Sequence, residues 1–376
     1  MKQRLNKMLL ILLVGLGLGA CAYFNQPKFG QHPEGERLER VEASPNYDRA
    51  EGVFKNQLET PMLAEGHSTV SVTLKTIFGS KERPAPAEPV PAVKTDLKSL
   101  DPDQNILVWF GHSSFYMRLG GKSFLVDPVF SPFASPWSFI NKAFDGTNIY
   151  SAEDMPEIDY LIITHDHWDH LDYPSVVALE PKVGRVVCPL GVGAHLEPWG
   201  YAKDKILEAD WYDEIRPGEG PEEGVSLHAV PARHFSGRLI RRNKTLWAGF
   251  AVESGGKRVL FGGDSGYGPH YAEAGERFAG FDLVILENGQ YDERWPYIHM
   301  LPEETAQAAE DLKGAALLPA HSGRFCISNH TWDEPFQRIV AASRERSYRL
   351  LTPKIGDVVN LDDPEQTFPH WWDGLE

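Results

Sequence analysis

Positive charge is scarce in this chain, cysteine is scarcer, and long apolar runs are nearly absent. Lysine and arginine number 37 against 53 aspartates and glutamates, a formal balance of −16 over 376 residues. That balance argues against binding nucleic acid by general electrostatics, which needs a basic surface. It leaves room for an anionic substrate at a local cluster of cations, because bound metal ions reverse the potential inside a site. The longest apolar run, Met8 to Leu18, is shorter than the roughly 20 residues that a membrane-spanning helix needs. Heptads and short-period repeats are missing, so a coiled coil or a repeat array is excluded.

What is present begins with a leader. Lys2, Arg4 and Lys7 precede the apolar run, which closes on Leu18-Gly19-Ala20-Cys21. A basic start, a short apolar core and small residues before the break mark a secretory signal peptide. A cysteine directly after Leu-Gly-Ala resembles the lipobox of bacterial lipoproteins, which implies lipidation of Cys21 as the first mature residue. Ala22 follows it in place of an acidic residue, a pattern similar to outer-membrane sorting. The expected location is the bacterial cell envelope, lipid-anchored at the outer membrane and facing the periplasm. Without residues 1–20 the chain holds 34 basic and 53 acidic residues. Cys188 and Cys326 then remain, each in a segment that reads as buried. An oxidising compartment permits a disulfide, but two buried free thiols are the expectation.

Three segments follow from composition: a signal peptide over 1–20, a tether and proline-rich arm over 21–103, and a catalytic domain over 104–376. Within the arm, the stretch before Tyr47 reads as a flexible tether. Residues 47–56 carry anchoring aromatics, Tyr47 and Phe54, suited to packing on the main domain. Residues 81–93 hold four prolines among small residues and read as an extended linker or surface arm. The compact part starts near Asn105. Strands are expected at 106–110, 114–119, 123–126, 159–163, 185–188 and near 206, then at 225–230, 245–253, 257–261, 283–286 and 317–319. Helices are expected at 173–179, 192–197, 270–278, 302–313 and 333–344. Gly120-Gly121 supplies a hairpin turn, and Pro302 with the acids after it suits a helix start. Each half opens with hairpins and continues with alternating helix and strand. Two sheets with helices outside them bury such a pattern, which gives an α+β class.

The densest chemistry lies in Thr164-His165-Asp166-His167-Trp168-Asp169-His170-Leu171-Asp172. The apolar run Tyr160-Leu161-Ile162-Ile163 leads into it as a buried strand. In an extended segment His165 and His167 point to one side, since side chains alternate with a period of two. Asp169 and His170 follow the turn and approach the same point from another direction. Imidazole nitrogens and carboxylate oxygens are the ligands zinc accepts in catalytic sites, where a position stays open for water. Three later segments add candidates directly after apolar runs: His234 after Val230, Asp264 among glycines after Phe261, and His321 after Leu317 to Pro319. His112 sits where the first two strands meet, and Asp127 ends the third. The run Gly263 to Gly268 imitates a dinucleotide loop but lacks the surrounding βαβ unit and its acid.

His165-Asp166-His167-Trp168-Asp169-His170, His234, Asp264 and His321, in that order, resemble the pattern of metallo-β-lactamase-fold hydrolases over about 105–362. The segments Phe110-Gly111-His112-Ser113, Val126-Asp127-Pro128, His170-Leu171-Asp172-Tyr173, Gly263 to Tyr267 and Glu293-Arg294-Trp295 are similar to the branch containing N-acylphosphatidylethanolamine phospholipase D. The resemblance implies a four-layer αββα sandwich. It implies one zinc held by His165, His167 and His234, a second held by Asp169, His170 and His321, and Asp264 bridging them. It makes Asp169 and His299 candidate catalytic residues, His299 lying near a bound phosphate. His112 and Asp127 would orient the ligands through hydrogen bonds.

The expected activity is hydrolysis of a phospholipid phosphodiester by a zinc-activated hydroxide, with the membrane reached through Cys21 and no nucleic-acid partner. The rivals are a lactonase, β-lactamase or other carbon-ester or amide hydrolase at the same metals, and a non-catalytic envelope protein that keeps the metal site. Iron or manganese accepts the same donors. Trp137, Trp168, Trp295 and Tyr297 line an acyl-chain mouth in the first reading and pack in the core or at sheet edges in the plain one. Arg238, Arg241 and Arg242 meet a headgroup or stay in solvent.

Overall fold

The computed structural model describes residues 19, 21–217, 224–238 and 241–375. The leader, and with it the expected signal peptide, lies outside the described residues except for residue 19. Among the described residues, no helix is long and apolar enough to cross a membrane.

Two seven-stranded sheets form the centre. The first runs, edge to edge, through Val358–Asn360, Ile106–Trp109, Phe115–Leu119, Lys122–Val126, Ile158–Ile162, Val183–Pro189 and Ile206–Ala209. The second runs through Arg349–Leu350, Ala316–Ala320, Leu283–Glu287, Lys257–Phe261, Gly249–Ser254, Ser226–Val230 and Glu214–Ile215. In each, an antiparallel hairpin region passes into parallel strands: Lys122–Val126 pairs parallel with Ile158–Ile162 in the first, and Lys257–Phe261 parallel with Leu283–Glu287 in the second. The parallel strands Leu283–Glu287 and Ala316–Ala320 are buried at every position, as strands covered on both faces must be.

One apolar core lies between the sheets, where Phe115 of the first and Phe261 of the second bring their rings to 5.8 Å. Another lies between the second sheet and its helices, with Val284 and Leu317 against Tyr271, Phe278, Ala309 and Ile339. On the first sheet's outer side, Val176 and Leu179 of the helix Tyr173–Leu179 are fully buried. Helix, sheet, sheet and helix make the layers of an αββα sandwich.

The segment expected as a flexible tether is instead docked. Residues Gly35–Ala43 form a helix whose Val41 is fully buried in the inter-sheet core cluster, as is Phe54. Arg37 reaches Glu208 at 2.9 Å and also pairs with Glu197. The sequence concealed this helix because little of it is apolar; Val41 anchors it in the core, and Arg37 pairs with acids far along the chain. The proline-rich run lies on the surface, with Val90 donating to Asp145 O and Val93 to Ile355 O. The strand expected over 245–253 is Gly249–Ser254. Thr245 to Ala248 bind loops instead, Leu246 N donating to Leu190 O and Ala248 N to Thr164 O.

Candidate metal centre

The site lies where strands end. His165 follows Ile158–Ile162, Asp264 follows Lys257–Phe261 and His321 follows Ala316–Ala320, all at the carboxyl ends of parallel strands. Open α/β sheets place ligands at that end. His234 stands four residues beyond Ser226–Val230. His112, Asp127 and His321 adopt positive φ of 56°, 41° and 58°. A non-glycine residue in this region is uncommon and persists where surroundings over-determine it, as at functional sites.

The seven expected ligands converge. His165, His167, His234 and Asp264 offer donor atoms within 4.8 Å of one another, and so do Asp169, His170 and His321 together with His112. Asp264 stands between the groups. Its Oδ2 is 3.8 Å from His165 Nε2 and 3.7 Å from His234 Nε2, while its Oδ1 is 3.2 Å from His170 Nε2 and 3.1 Å from His321 Nδ1. His167 Nδ1 lies 2.9 Å from His165 Nε2 and 3.2 Å from His234 Nε2.

The donor set fits a cation. Bonds of about 2.0–2.1 Å to a tetrahedral ion leave neighbouring donor nitrogens a little over 3 Å apart. His170 Nε2 and Asp264 Oδ1 are buried with no hydrogen-bond partner that meets geometric criteria, an arrangement that costs free energy unless something binds there. Burial and then the surrounding imidazoles hold His165 well below the usual histidine range; burial does the same for His234 and His321. His167 is lowered by burial to about 4. Burial opposes ionisation of Asp169 and Asp264, but the neighbouring histidines, His170 foremost, keep both carboxyls well below their usual values. Neutral imidazole and ionised carboxylate are the forms that ligate metals; His170 is the exception, held well above the usual range against burial by Asp264, Asp169 and Asp127, so an incoming cation must displace its proton.

Further residues fix these donors. Asp127 Oδ2 lies 2.7 Å from His170 Nδ1 and accepts from Thr164 Oγ1 at 2.5 Å, and Thr164 N donates to its Oδ1 at 2.8 Å. With Nδ1–H given to the carboxylate, His170 turns its other nitrogen to the cluster. His112 Nε2 is 2.8 Å from Asp169 Oδ2, so it sits among the donors as well as orienting one. His234 Nδ1 is 2.9 Å from Ile298 O. Asp172 caps the helix Tyr173–Leu179 and closes the ligand loop.

His299 lies over the cluster, its ring 5.2 Å from that of His321 and 5.0 Å from that of His234. Its Nδ1 is 2.5 Å from Glu287 Oε2. Glu287, which the sequence reading passed over, is fully buried, and burial pushes its carboxyl up to about 7 against the pull of His299. The signal that marked Asp264 was there: an acid at the end of the apolar strand Leu283–Glu287.

Other helpers carried no sequence signal. Asp166 faces away from the cluster, accepting from Gly237 N at 2.6 Å and Thr245 Oγ1 at 2.9 Å, with His195 Nε2 at 3.2 Å. Gln31 N of the arm donates to His195 Nδ1 at 3.0 Å. Asn56 brackets His234, donating to its carbonyl at 2.8 Å and accepting from its N–H at 3.1 Å.

Arg238 belongs to neither of its expected roles. It is buried, 3.9 Å over the Trp168 ring, and donates to Asp166 O, Leu171 O and Lys28 O. It ties both ends of the ligand loop to the arm. Trp168 packs there too, against Phe29. Trp295 donates to Gln290 O, whereas Tyr297 is 38% exposed beside His299. Cys21, Cys188 and Cys326 are free thiols, with Cys188 buried and Cys326 half-buried.

The chain belongs to the β-lactamase superfamily and carries the metallo-β-lactamase fold of its hydrolases: residues 122–322 match the family described as Beta-lactamase superfamily domain. It is 35% identical over 335 residues to an uncharacterised protein of Mycobacterium tuberculosis, covering 88% of each chain. It is 55% identical over 100 residues to the outer membrane protein RomA of Klebsiella pneumoniae, covering 27% of this chain and 76% of that one. It is 29% identical over 279 residues to N-acyl-phosphatidylethanolamine-hydrolyzing phospholipase D 1 of Caenorhabditis elegans, covering 67% of this chain and 76% of the other. Among solved structures, an isothiocyanate hydrolase from Delia radicum gut bacteria shares the fold at a TM-score of 0.54 and 18% identity, covering 68% of this chain and 98% of that one. The diiron β-hydroxylase CmlA of Streptomyces venezuelae shares it at 0.51 and 19%, covering 73% and 55%. One fold thus carries different reactions, and the site must decide between them.

Proposed function

We propose that this chain is a two-metal phosphodiesterase acting on phospholipids of the N-acylphosphatidylethanolamine type, with zinc as the default cation. The observation that carries the reading is Asp264, which offers one oxygen to each of two donor groups. His165, His167 and His234 would hold one ion, and Asp169, His170 and His321 the other. A bound cation pair supplies activated water near neutral pH and neutralises charge on a phosphoryl oxygen.

The chain's own residues do the rest. Asp127 and His112 hold His170 and Asp169 in place. Ile298 O holds the proton of His234 at Nδ1 and leaves Nε2 facing the cluster. His299 Nε2 has no hydrogen-bond partner among the described residues; in the imidazolium form, which Glu287 favours against burial, it is left to donate to a phosphoryl oxygen of the substrate while Nδ1 donates to Glu287. Tyr297 and Leu301, 38% and 40% exposed, flank His299 as apolar surface for an acyl chain. The relatives that cleave N-acylphosphatidylethanolamine, in nematode and in yeast, support the lipid substrate.

The same reading attaches the mature chain to the bacterial envelope through lipidated Cys21, at the outer membrane and facing the periplasm. The leader, and the likeness to the outer membrane protein RomA of Klebsiella pneumoniae, support this. Such an anchor raises the effective concentration of a membrane substrate. A fatty-acid label should enter the wild-type chain in cells and be absent from Cys21→Ala; equal labelling of the two would remove the anchor.

The activity is tested by presenting N-acylphosphatidylethanolamine, bis(p-nitrophenyl) phosphate and a simple lactone to the metal-loaded protein. Cleavage of the first two is expected. Turnover of the lactone alone would move the reaction to carbon esters and end the phosphodiesterase reading.

A further inference from the structure

The segment from Tyr297 to Met300 touches the centre at three places. Ile298 O takes the His234 Nδ1 proton, the His299 ring covers the rings of His234 and His321, and Tyr297 presses on the turn that carries Asp264. The last contact is so close that a Cβ on Gly266 would lie 1.9 Å from Tyr297 O, so only glycine fits there. This strap begins no helix or strand of its own. The buried anchor that holds its far end is Glu287.

Each oxygen of that carboxylate has one partner, and both partners are on the strap. Oε2 lies 2.5 Å from His299 Nδ1, and Oε1 accepts from Met300 N at 2.8 Å. The side chain is fully buried, and no lysine or arginine pairs with it among the described residues. Its own backbone is fixed by the strand Leu283–Glu287 and by Thr305 Oγ1, which donates to Glu287 O at 2.8 Å. A buried carboxylate without a lysine or arginine partner is costly. Its placement makes sense if the ring it grips has a task.

We infer that Glu287 is a positioning residue for the reaction: it fixes the His299 ring with Nε2 toward the substrate space. The inference rests on the proposed hydrolysis. The logic matches that of a buried carboxylate that sets the tautomer and orientation of a working histidine. Glu287 stands beside the centre, its carboxylate within 4.8 Å of donor atoms of Asp264, His299 and His321, yet both of its hydrogen-bond partners are on the strap, and it acts through them.

The test uses the metal-loaded full chain, bis(p-nitrophenyl) phosphate as the probe, and four variants: Glu287→Ala, Glu287→Gln, His299→Ala and the double variant Glu287→Ala with His299→Ala. Glu287→Ala should lower kcat by about 10–100-fold, the usual cost of losing an orienting partner, with KM and metal content within about twofold of wild type. Glu287→Gln keeps one acceptor oxygen for His299 Nδ1 but sets its NH2 against Met300 N, so it should recover part of that loss and stay faster than Glu287→Ala; it also serves if the alanine variant does not fold. The double variant should be no slower than His299→Ala alone, because two residues that act as one unit are not additive. A Glu287→Ala enzyme with unchanged kcat beside a crippled His299→Ala, or a double variant whose losses multiply, would overturn the inference. Unchanged turnover by His299→Ala would instead remove the part assigned to His299 above, a separate failure.

Discussion

The first sheet delivers its donors in one peptide, and the second delivers them one at a time. His165, His167, Asp169 and His170 come from a single turn after Ile158–Ile162, whereas His234, Asp264 and His321 follow three different strands. The two regions are held differently as a result. The contiguous loop is gripped along its length: Thr164 and His170 by Asp127, Asp166 by Gly237 and Thr245, both ends by Arg238, and its exit by the cap at Asp172. The solitary donors rely on the strands beneath them and on one or two bonds from remote segments, Asn56 and Ile298 for His234, Ser113 for His321. A compact motif needs a braced loop, and a dispersed one needs a rigid frame.

That difference can be probed from the loop side first. Asp127→Asn keeps the shape but can no longer both receive the His170 proton and satisfy Thr164 twice. Metal affinity or phosphodiester turnover should fall by about 10–100-fold, read by titration with zinc and by kcat; a loss below twofold would mean the loop is held without it. The smaller effect belongs to the dispersed side. Asn56→Ala removes two hydrogen bonds from the backbone of His234 and should cost about 1–3 kcal/mol of stability. A thermal melt should show a Tm lower by several degrees, with kcat reduced less than in Asp127→Asn. If Asn56→Ala were the more damaging of the two, the arm rather than the loop brace would dominate the centre.

The same contrast explains what could be read from the residues alone. The His165 to His170 stretch announces itself by donor density, and the dispersed donors by standing after apolar runs. The strands around them were legible because parallel strands covered on both faces must be apolar throughout, as Leu283–Glu287 and Ala316–Ala320 are. Of the arm, the packing of Tyr47 and Phe54 was legible, because aromatics in a polar stretch need a surface to cover them. Its contacts around the ligand loop were not, since they run through backbone groups, Lys28 O to Arg238 and Gln31 N to His195, which leave no pattern in side-chain order. Arg238 read as a surface charge because nothing local shows that Trp168 and two loop carbonyls enclose it. Glu287 was within reach, being an acid at a buried strand end, the position that gave Asp264. Its partner His299, twelve residues on, shows the pairing only in three dimensions.

The central claim is that one carboxylate, Asp264, joins two groups of donors into a two-cation centre. Its most direct test is metal content per folded chain, by elemental analysis of the wild type beside Asp264→Ala after dialysis against trace zinc. Two ions per wild-type chain, with both affinities collapsing in Asp264→Ala while circular dichroism stays native, is the predicted result. A wild type that folds and stays metal-free, or an Asp264→Ala chain that keeps both ions, would contradict it.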